Sequence, residues 1–256
     1  MKVRIIASGS KGNSTYIECN ELKILIDAGV SFSQMKKSLS EIGVDVAEIN
    51  IVLITHSHND HTKGLSMLLN HYSDIVVCTI PEVYLDLVNN LKLKISKYIL
   101  IDEDIFIENV LITSIRTSHD VPSSAYIIKS DSTELVYITD TGYLNRKYFE
   151  KISNKDIYVI ESNHDEKMLM DGPYPFILKQ RILSDKGHLS NVTTAKILSK
   201  VIGEKTKYIF LAHISEHNNT KELALSEIKR ELSKSKFDLN KIIITDQFVS
   251  LDVVEV

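Results

Sequence analysis

The stretch His56-Ser57-His58-Asn59-Asp60-His61 decides the interpretation of this chain. It follows the apolar run 51–55, which predicts a β-strand. In an extended turn, side chains at positions i and i+2 point the same way, so the first two histidines can bind one metal ion. Asp60 and His61 then turn toward a second ion. Imidazole and carboxylate ligands suit Zn, Mn and Fe, so the stretch predicts two divalent metal ions at the end of a strand.

Further polar residues occupy the same kind of position, directly after an apolar run that predicts a strand. In α/β folds the carboxyl ends of strands converge on one rim, where loops carry functional groups on a rigid base. These strand endings, together with His56, therefore predict one site. The residues are Asp27, His119, Asp140, Glu161 and His213.

Composition indicates an ordinary globular protein. Hydrophobic residues make up 43% and charged residues 25% of the 256 residues, and no Pro/Gly-rich linker or repeat interrupts them. We therefore expect a single domain over residues 1–256. Strand-like runs alternate with helical spacing, including a helix over residues 63–72 and a last strand over residues 249–253. The pattern predicts two mixed sheets packed together and covered by helices, an α/β layered arrangement.

Charge, cysteines and hydropathy limit the partners and the compartment. Lys and Arg number 30 and Asp and Glu 34, a net charge of −4, so no global basic field attracts nucleic acid or anionic lipid. Cys19 and Cys78 lack metal-ligand spacing, and buried free thiols are favoured over a disulfide, which fits a reducing cytoplasm. No stretch approaches the ~18 apolar residues of a membrane span, so no membrane partner is expected.

With the H-x-H-x-D-H run and its distant histidines, the chain resembles the metallo-β-lactamase superfamily. The resemblance implies a four-layer αββα fold in which His119 joins His56 and His58 on one metal ion. It also implies that His213 joins Asp60 and His61 on the other ion, that Asp140 bridges the two ions, and that Asp27 orients the ligand loop by hydrogen bonding. A water shared by two such ions supplies hydroxide near neutral pH, which predicts metal-assisted hydrolysis. A metal-binding module without catalytic activity would leave the full ligand set unexplained.

The segment Gly187-His188-Leu189-Ser190-Asn191 bears on the substrate. His188 precedes a predicted helix that Ser190 or Asn191 can cap, and a helix N-terminus with a nearby histidine favours an anion such as phosphate. Glu161 can hold His188 protonated, so that the pair donates a proton to a leaving alkoxide. Asn163 and His164, which follow Glu161, are expected to orient ligands or to contact substrate. Simple helix capping by His188 and a wall position for His164 are the alternatives.

The closest resemblance extends over essentially the whole chain and is to the YycJ/WalJ family. It implies 5′-to-3′ exonuclease action on double-stranded DNA, with Asp60, His188 and Glu161 in catalysis. The net negative charge argues against this substrate, because non-specific DNA affinity comes mostly from basic contacts. Hydrolysis of small or cyclic phosphodiesters is the alternative, followed by thioester or lactone hydrolysis. The motifs that carry the resemblance are residues 7–14, 161–165, 181–191 and 211–215.

The sequence alone leaves the roles of two features undecided. Lys179, Arg181 and Lys186 lie near His188 and can grip a nucleic-acid backbone, but a solvated helix face explains them equally well. The glycine-containing loop 8–14 lacks Walker spacing. It is interpreted as a tight hairpin, with backbone amides lining the site as the alternative.

Overall fold

The computed structural model describes residues 1–256 and contains two seven-stranded β-sheets, with elements numbered along the chain. The strands of the first sheet are β1 (Lys2–Ala7), β2 (Ser14–Cys19), β3 (Leu22–Ile26), β4 (Ile51–Leu53), β5 (Val76–Thr79), β6 (Tyr98–Leu100) and β14 (Val254–Glu255). Those of the second are β7 (Asp104–Ile107), β8 (Val110–Arg116), β9 (Ser124–Ser130), β10 (Thr133–Ile138), β11 (Ile157–Glu161), β12 (Tyr208–Ala212) and β13 (Ile242–Ile244).

Each sheet is half antiparallel and half parallel. The spatial orders are β14-β1-β2-β3-β4-β5-β6 and β13-β12-β11-β10-β9-β8-β7. Strands β14 to β3 and β7 to β10 pair antiparallel, whereas β3 to β6 and β10 to β13 pair parallel. Parallel neighbours need crossover connections, which usually contain helices. The parallel half of each sheet therefore brings several strand carboxyl ends to one edge.

Three clusters of buried hydrophobic residues fill the spaces between the layers of sheets and helices. The first contains 21 residues and fills the space between the sheets, with Ile17 and Leu53 from one sheet and Ile128 and Val159 from the other. The remaining clusters, of 21 and 20 residues, pack each sheet against its own helices. The predicted four-layer αββα fold with two mixed sheets is therefore confirmed. Cys19 and Cys78 lie in the inter-sheet core as free thiols.

The helices lie in the connections between strands. None of them is long and apolar enough to cross a bilayer. Those following strands of the first sheet are α1 (Phe32–Ser40), α2 (Asn59–Thr62), α3 (Leu65–His71) and α4 (Pro81–Asn89). Those following strands of the second sheet are α5 (Phe149–Ile152), α6 (Glu166–Asp171), α7 (Phe176–Leu183), α8 (Asn191–Val201) and α9 (Lys221–Leu232).

Two predicted elements differ from the structure. The helix predicted over residues 63–72 corresponds to the shorter α3, which a separate short helix, α2, precedes; a Cβ on Gly64, between the two, would lie 2.3 Å from the carbonyl oxygen of Val30. The strand predicted over residues 249–253 is wrong. There the Asp246 carboxylate accepts hydrogen bonds from the backbone N–H groups of Phe248 (2.7 Å) and Val249 (3.1 Å), which forms a turn, and the strand is confined to β14.

Candidate active site

The site lies at the carboxyl ends of the parallel strands, where three of its residues have unusual backbone conformations. Asp27, Asp140 and His213 have φ angles of 61°, 53° and 53°, in the left-handed region. Residues with a Cβ adopt this region at a cost in free energy, and such residues cluster at functional sites. Each directly follows a strand or lies one residue beyond it, so the strained turns occur where the sequence places its polar strand endings.

The first group of side chains consists of three histidines with converging ring nitrogens. Nδ1 of His58 lies 3.1 Å from Nε2 of His56 and 3.4 Å from Nε2 of His119. A neutral imidazole has one N–H and one lone pair, so three such rings cannot all satisfy one another by hydrogen bonding. His56 and His119 are buried, which excludes most solvent. The donor set and its spacing fit a divalent cation.

The second group combines Asp60, His61, His213 and Asp140. The Asp60 Oδ2 atom lies 3.4 Å from Nε2 of His61 and 3.6 Å from Nε2 of His213. Asp140 Oδ1 lies 3.5 Å from the same His213 nitrogen. Two buried atoms here, His213 Nε2 and Asp140 Oδ2, have no hydrogen-bond partner. Unpartnered buried polar atoms are rare, and a cation between them would satisfy both.

The electrostatics of the second group also favour positive charge. Burial alone would lower the pKa of His213, but Asp140, Asp60 and Glu161 raise it to about 10. Desolvation likewise opposes ionisation of Asp60, yet the neighbouring His213 and His61 rings hold the pKa of that carboxyl well below its usual range. These carboxylates would stabilise a divalent cation as they stabilise a proton.

Glu161, the last residue of β11, connects the ends of neighbouring strands behind the two groups of candidate metal ligands. Its buried carboxylate accepts hydrogen bonds from the backbone N–H of Asp140 (3.0 Å) and of Leu189 (2.7 Å). It also contacts Nδ1 of His188 (2.9 Å) and of His213 (3.1 Å). Burial opposes ionisation, but the two histidines lower the pKa of Glu161 to about 2. Glu161 is therefore an ionised carboxylate that positions two histidines.

His188 lies at the border between this network and solvent. It precedes α8, whose N-terminus is capped by Ser190 through a 3.2 Å hydrogen bond from the backbone N–H of Thr193. Burial lowers the pKa of His188, but the neighbouring Glu161 outweighs it and leaves the pKa raised. The structure thus brings the predicted His188–Glu161 pair together, with capping performed by Ser190.

Asp27 lies beneath the ligand loop, residues 56–61, as the resemblance to the superfamily implied. Its Oδ1 accepts a 2.8 Å hydrogen bond from the backbone N–H of Thr55, and its Oδ2 lies 2.7 Å from Nδ1 of His61. This contact leaves Nε2 of His61 directed at Asp60 and Asp140. Asp27 is fully buried, so it orients the loop from below.

Replacing Asp27 by alanine is expected to destabilise the fold by about 3 kcal/mol or more, because it leaves His61 and Thr55 without their buried partner. Urea unfolding of the chelator-treated protein measures the change without contributions from bound metal. The control is Asp102→Ala, since the Asp102 side chain is 94% exposed and should change stability by about 0.5 kcal/mol or less. Equal midpoints for the two variants would contradict the assigned role.

A cavity of about 220 Å³ opens beside the histidines. Arg181 and Lys186 line it, whereas Lys179 donates to the backbone carbonyl of Met170 at 2.7 Å. Two of the three basic residues with open roles therefore face the site. Other lining residues are Ser10, His119, Tyr174, His188, His213 and Ser215.

Asn163 and His164 have different positions. Asn163 lines the cavity and donates a 2.9 Å hydrogen bond to the carbonyl oxygen of His213, which fixes the loop after β12. His164 is buried and does not line the cavity, and neither ring nitrogen has a hydrogen-bond partner. The expected contact of His164 with substrate is therefore not supported by its placement, because burial separates its ring from solvent.

Two further residues of the site, Asn13 and Asp120, were not predicted from the sequence. Nδ2 of Asn13 lies 3.0 Å from Nε2 of His61, and Oδ1 of Asp120 lies 3.3 Å from Nε2 of His58. Asn13 belongs to the loop 8–14, which connects antiparallel β1 and β2 as a hairpin, as predicted. The signal for Asp120 was its place directly after His119.

Comparisons with known proteins establish the family. Residues 23–214 match the model of the beta-lactamase superfamily domain. The chain is 37% identical over 250 residues to exodeoxyribonuclease WalJ of Streptococcus pneumoniae strain D39, covering 91% of this chain and 89% of the relative. It is 34% identical over 242 residues to exodeoxyribonuclease YycJ of Bacillus anthracis, covering 93% and 91%.

A solved structure supports the fold. The metallo-beta-lactamase fold protein YhfI from Bacillus subtilis superimposes with a TM-score of 0.74 over 98% of each chain, at 17% identity. At that identity the likeness concerns the fold alone. From the family match and the two relatives together, this chain belongs to the metallo-β-lactamase superfamily, in the family of the WalJ and YycJ proteins.

Proposed function

We propose that the protein is a metal-dependent exonuclease that hydrolyses DNA phosphodiesters. One observation carries the proposal: the ionised Glu161 holds His188 at the edge of a cavity whose wall also contains metal-ligating histidines. A hydrolase acting on phosphodiesters needs both charge neutralisation and a proton for the leaving oxygen. The relatives named exodeoxyribonucleases point to DNA as the substrate.

The residues divide into two cation sites. The converging histidines of the first group, His56, His58 and His119, would hold one ion. Asp60, His61 and His213 would hold the other, with Asp140 between the two. Such ligands suit Zn, Mn or Fe. Bound divalent cations neutralise charge on a phosphodiester and make coordinated water more acidic.

The protein's own side chains then complete the reaction. Asp60, whose side chain is 22% exposed, accepts the proton that the attacking water releases. His188 donates its proton to the oxygen that leaves phosphorus, and Glu161 stabilises the protonated ring beforehand. Arg181 and Lys186 in the cavity wall bind phosphate oxygens. They place basic side chains at the cavity although the net charge of the chain is −4.

The polarity of digestion, the form of the DNA, the extent of the domain and the location of the protein form part of the same proposal. We infer 5′-to-3′ action on double-stranded DNA from the family resemblance, with residues 1–256 acting as one hydrolase domain. We also infer a cytoplasmic location, which suits two buried free thiols because a reducing compartment keeps cysteines unpaired.

Hydrolysis of small or cyclic phosphodiesters is the second candidate. The cavity of about 220 Å³ and the acidic net charge both favour a small ligand over a polymer. A thioester or lactone hydrolase is less consistent, because a thiolate leaving group does not need the proton that His188 holds.

A substrate panel separates these functions. The purified protein, loaded with Mn²⁺ or Zn²⁺, is incubated with linear duplex DNA, 3′,5′-cyclic nucleotides and a thioester. Release of nucleotides from DNA at a kcat/KM well above that for cyclic nucleotides supports the exonuclease. Hydrolysis of cyclic nucleotides alone would establish the second candidate, and cleavage confined to the thioester would refute both phosphodiester functions.

A further inference from the structure

Asp120 contacts two histidines of the first group through one carboxylate oxygen. Its Oδ1 lies 3.3 Å from Nε2 of His58 and 3.3 Å from Nε2 of His119. The other ring nitrogen of His58, Nδ1, is the atom that faces His56. One edge of the His58 ring is therefore directed at the metal group and the other at a carboxylate.

This arrangement selects one tautomer of His58. A neutral imidazole carries its single hydrogen on either Nδ1 or Nε2. Because Oδ1 of Asp120 lies within ion-pair distance of Nε2, a hydrogen on Nε2 faces a carboxylate, and the Nδ1 lone pair is left for a cation. Histidines that bind metals regularly donate their other N–H to a carboxylate, which fixes ring orientation and raises the basicity of the ligand.

Arg181 holds the second oxygen of the same carboxylate. Its guanidinium Nη2 forms an ion pair with Oδ2 of Asp120, so both carboxylate oxygens are engaged. Arg181 is on α7, a helix with no buried residue, and it lines the cavity. The ion pair therefore connects this helix at the cavity wall to the histidines of the first group.

We propose that Asp120 is a positioning residue that fixes the metal-binding tautomer of His58, with Arg181 holding Asp120 in place from helix α7. The proposal rests on the proposed function, because it requires a cation on the first histidine group. It assigns a role to an acidic residue outside the ligand set, and it explains why Arg181 is paired with an acid in a cavity that would bind phosphate.

The test compares Asp120→Asn with the wild type in two measurements that do not depend on turnover. Competition with a chelator measures the affinity of each Zn²⁺ ion, and we expect the affinity of one of the two ions to fall by about 10-fold to 100-fold in Asp120→Asn. ¹⁵N-NMR of histidine-labelled, zinc-loaded protein reports the His58 tautomer. We expect a single Nε2–H form in the wild type and loss of that form in the variant.

Two further variants test the contribution of Arg181 and provide a control at an exposed acidic residue. Arg181→Gln should lower zinc affinity less than Asp120→Asn, because the carboxylate remains. Asp102→Asn, at an exposed acidic position, should leave both measurements unchanged. Two zinc ions bound with wild-type affinity and an unchanged His58 tautomer in Asp120→Asn would overturn this inference alone. A wild-type protein that binds no zinc would instead overturn the proposed function.

Discussion

Replacing Asp60 by alanine is expected to lower the rate of DNA hydrolysis by about 10³-fold or more. The Asp60 carboxylate lies between His61 and His213, so its loss removes one ligand and much of the negative charge of the second cation site. Metal coordination supplies several kcal/mol of charge stabilisation in the transition state, and each 1.36 kcal/mol corresponds to about tenfold in rate. Nucleotide release from duplex DNA at saturating Mn²⁺ measures the loss.

Asn59→Ala is the matched control, because Asn59 is the adjacent residue and is exposed. It should retain activity close to that of the wild type. Circular dichroism of both variants shows whether the fold is kept. A folded Asp60→Ala protein that digests DNA at the wild-type rate would remove Asp60 from the reaction.

The His188→Ala variant is expected to lose about 10²-fold or more of its activity on DNA, because the leaving alkoxide then departs without a proton donor. The effect should depend on the leaving group. An aryl phosphodiester such as bis(p-nitrophenyl) phosphate releases a weakly basic phenolate, which needs little protonation. We therefore expect the variant to retain a much larger share of its activity on the aryl ester than on DNA.

His71→Ala provides the control for that series, because His71 is exposed and stacks on Phe32 outside the cavity. Its rates on both substrates should match the wild type. If His188→Ala slowed the two substrates equally, His188 would act by binding or positioning rather than as a proton donor.

The candidate metal ligands could be predicted because they cluster in sequence or follow strands. His56 and His58 are spaced by the two-residue repeat of an extended chain, and Asp60 and His61 follow in the short helix α2. Asp140, Glu161 and His213 are marked by the apolar strands that precede them. Parallel pairing of β10, β11 and β12 then brings these ends together, which is the general behaviour of such sheets.

Other features depend on tertiary contacts that one sequence does not display. Asp120 gains its role from Arg181, 61 positions away, whose helix returns to the cavity. Asn13 reaches His61 only because the first hairpin lies beside the ligand loop. The last strand was misplaced because the side chain of Asp246 forms a local turn that competes with extended structure. His164 was expected to orient ligands or to contact substrate, and its ring is buried and does not line the cavity.

Digestion of duplex DNA labelled at either the 5′ or the 3′ end tests the central claim most directly, because it reports metal dependence, exonuclease action and polarity together. We expect early release of the 5′ label with Mn²⁺ or Zn²⁺, retention of the 3′ label until late times, and no release after removal of metal by a chelator. Undiminished cleavage in the chelator-treated protein, or intact DNA with both metal sites filled, would contradict it.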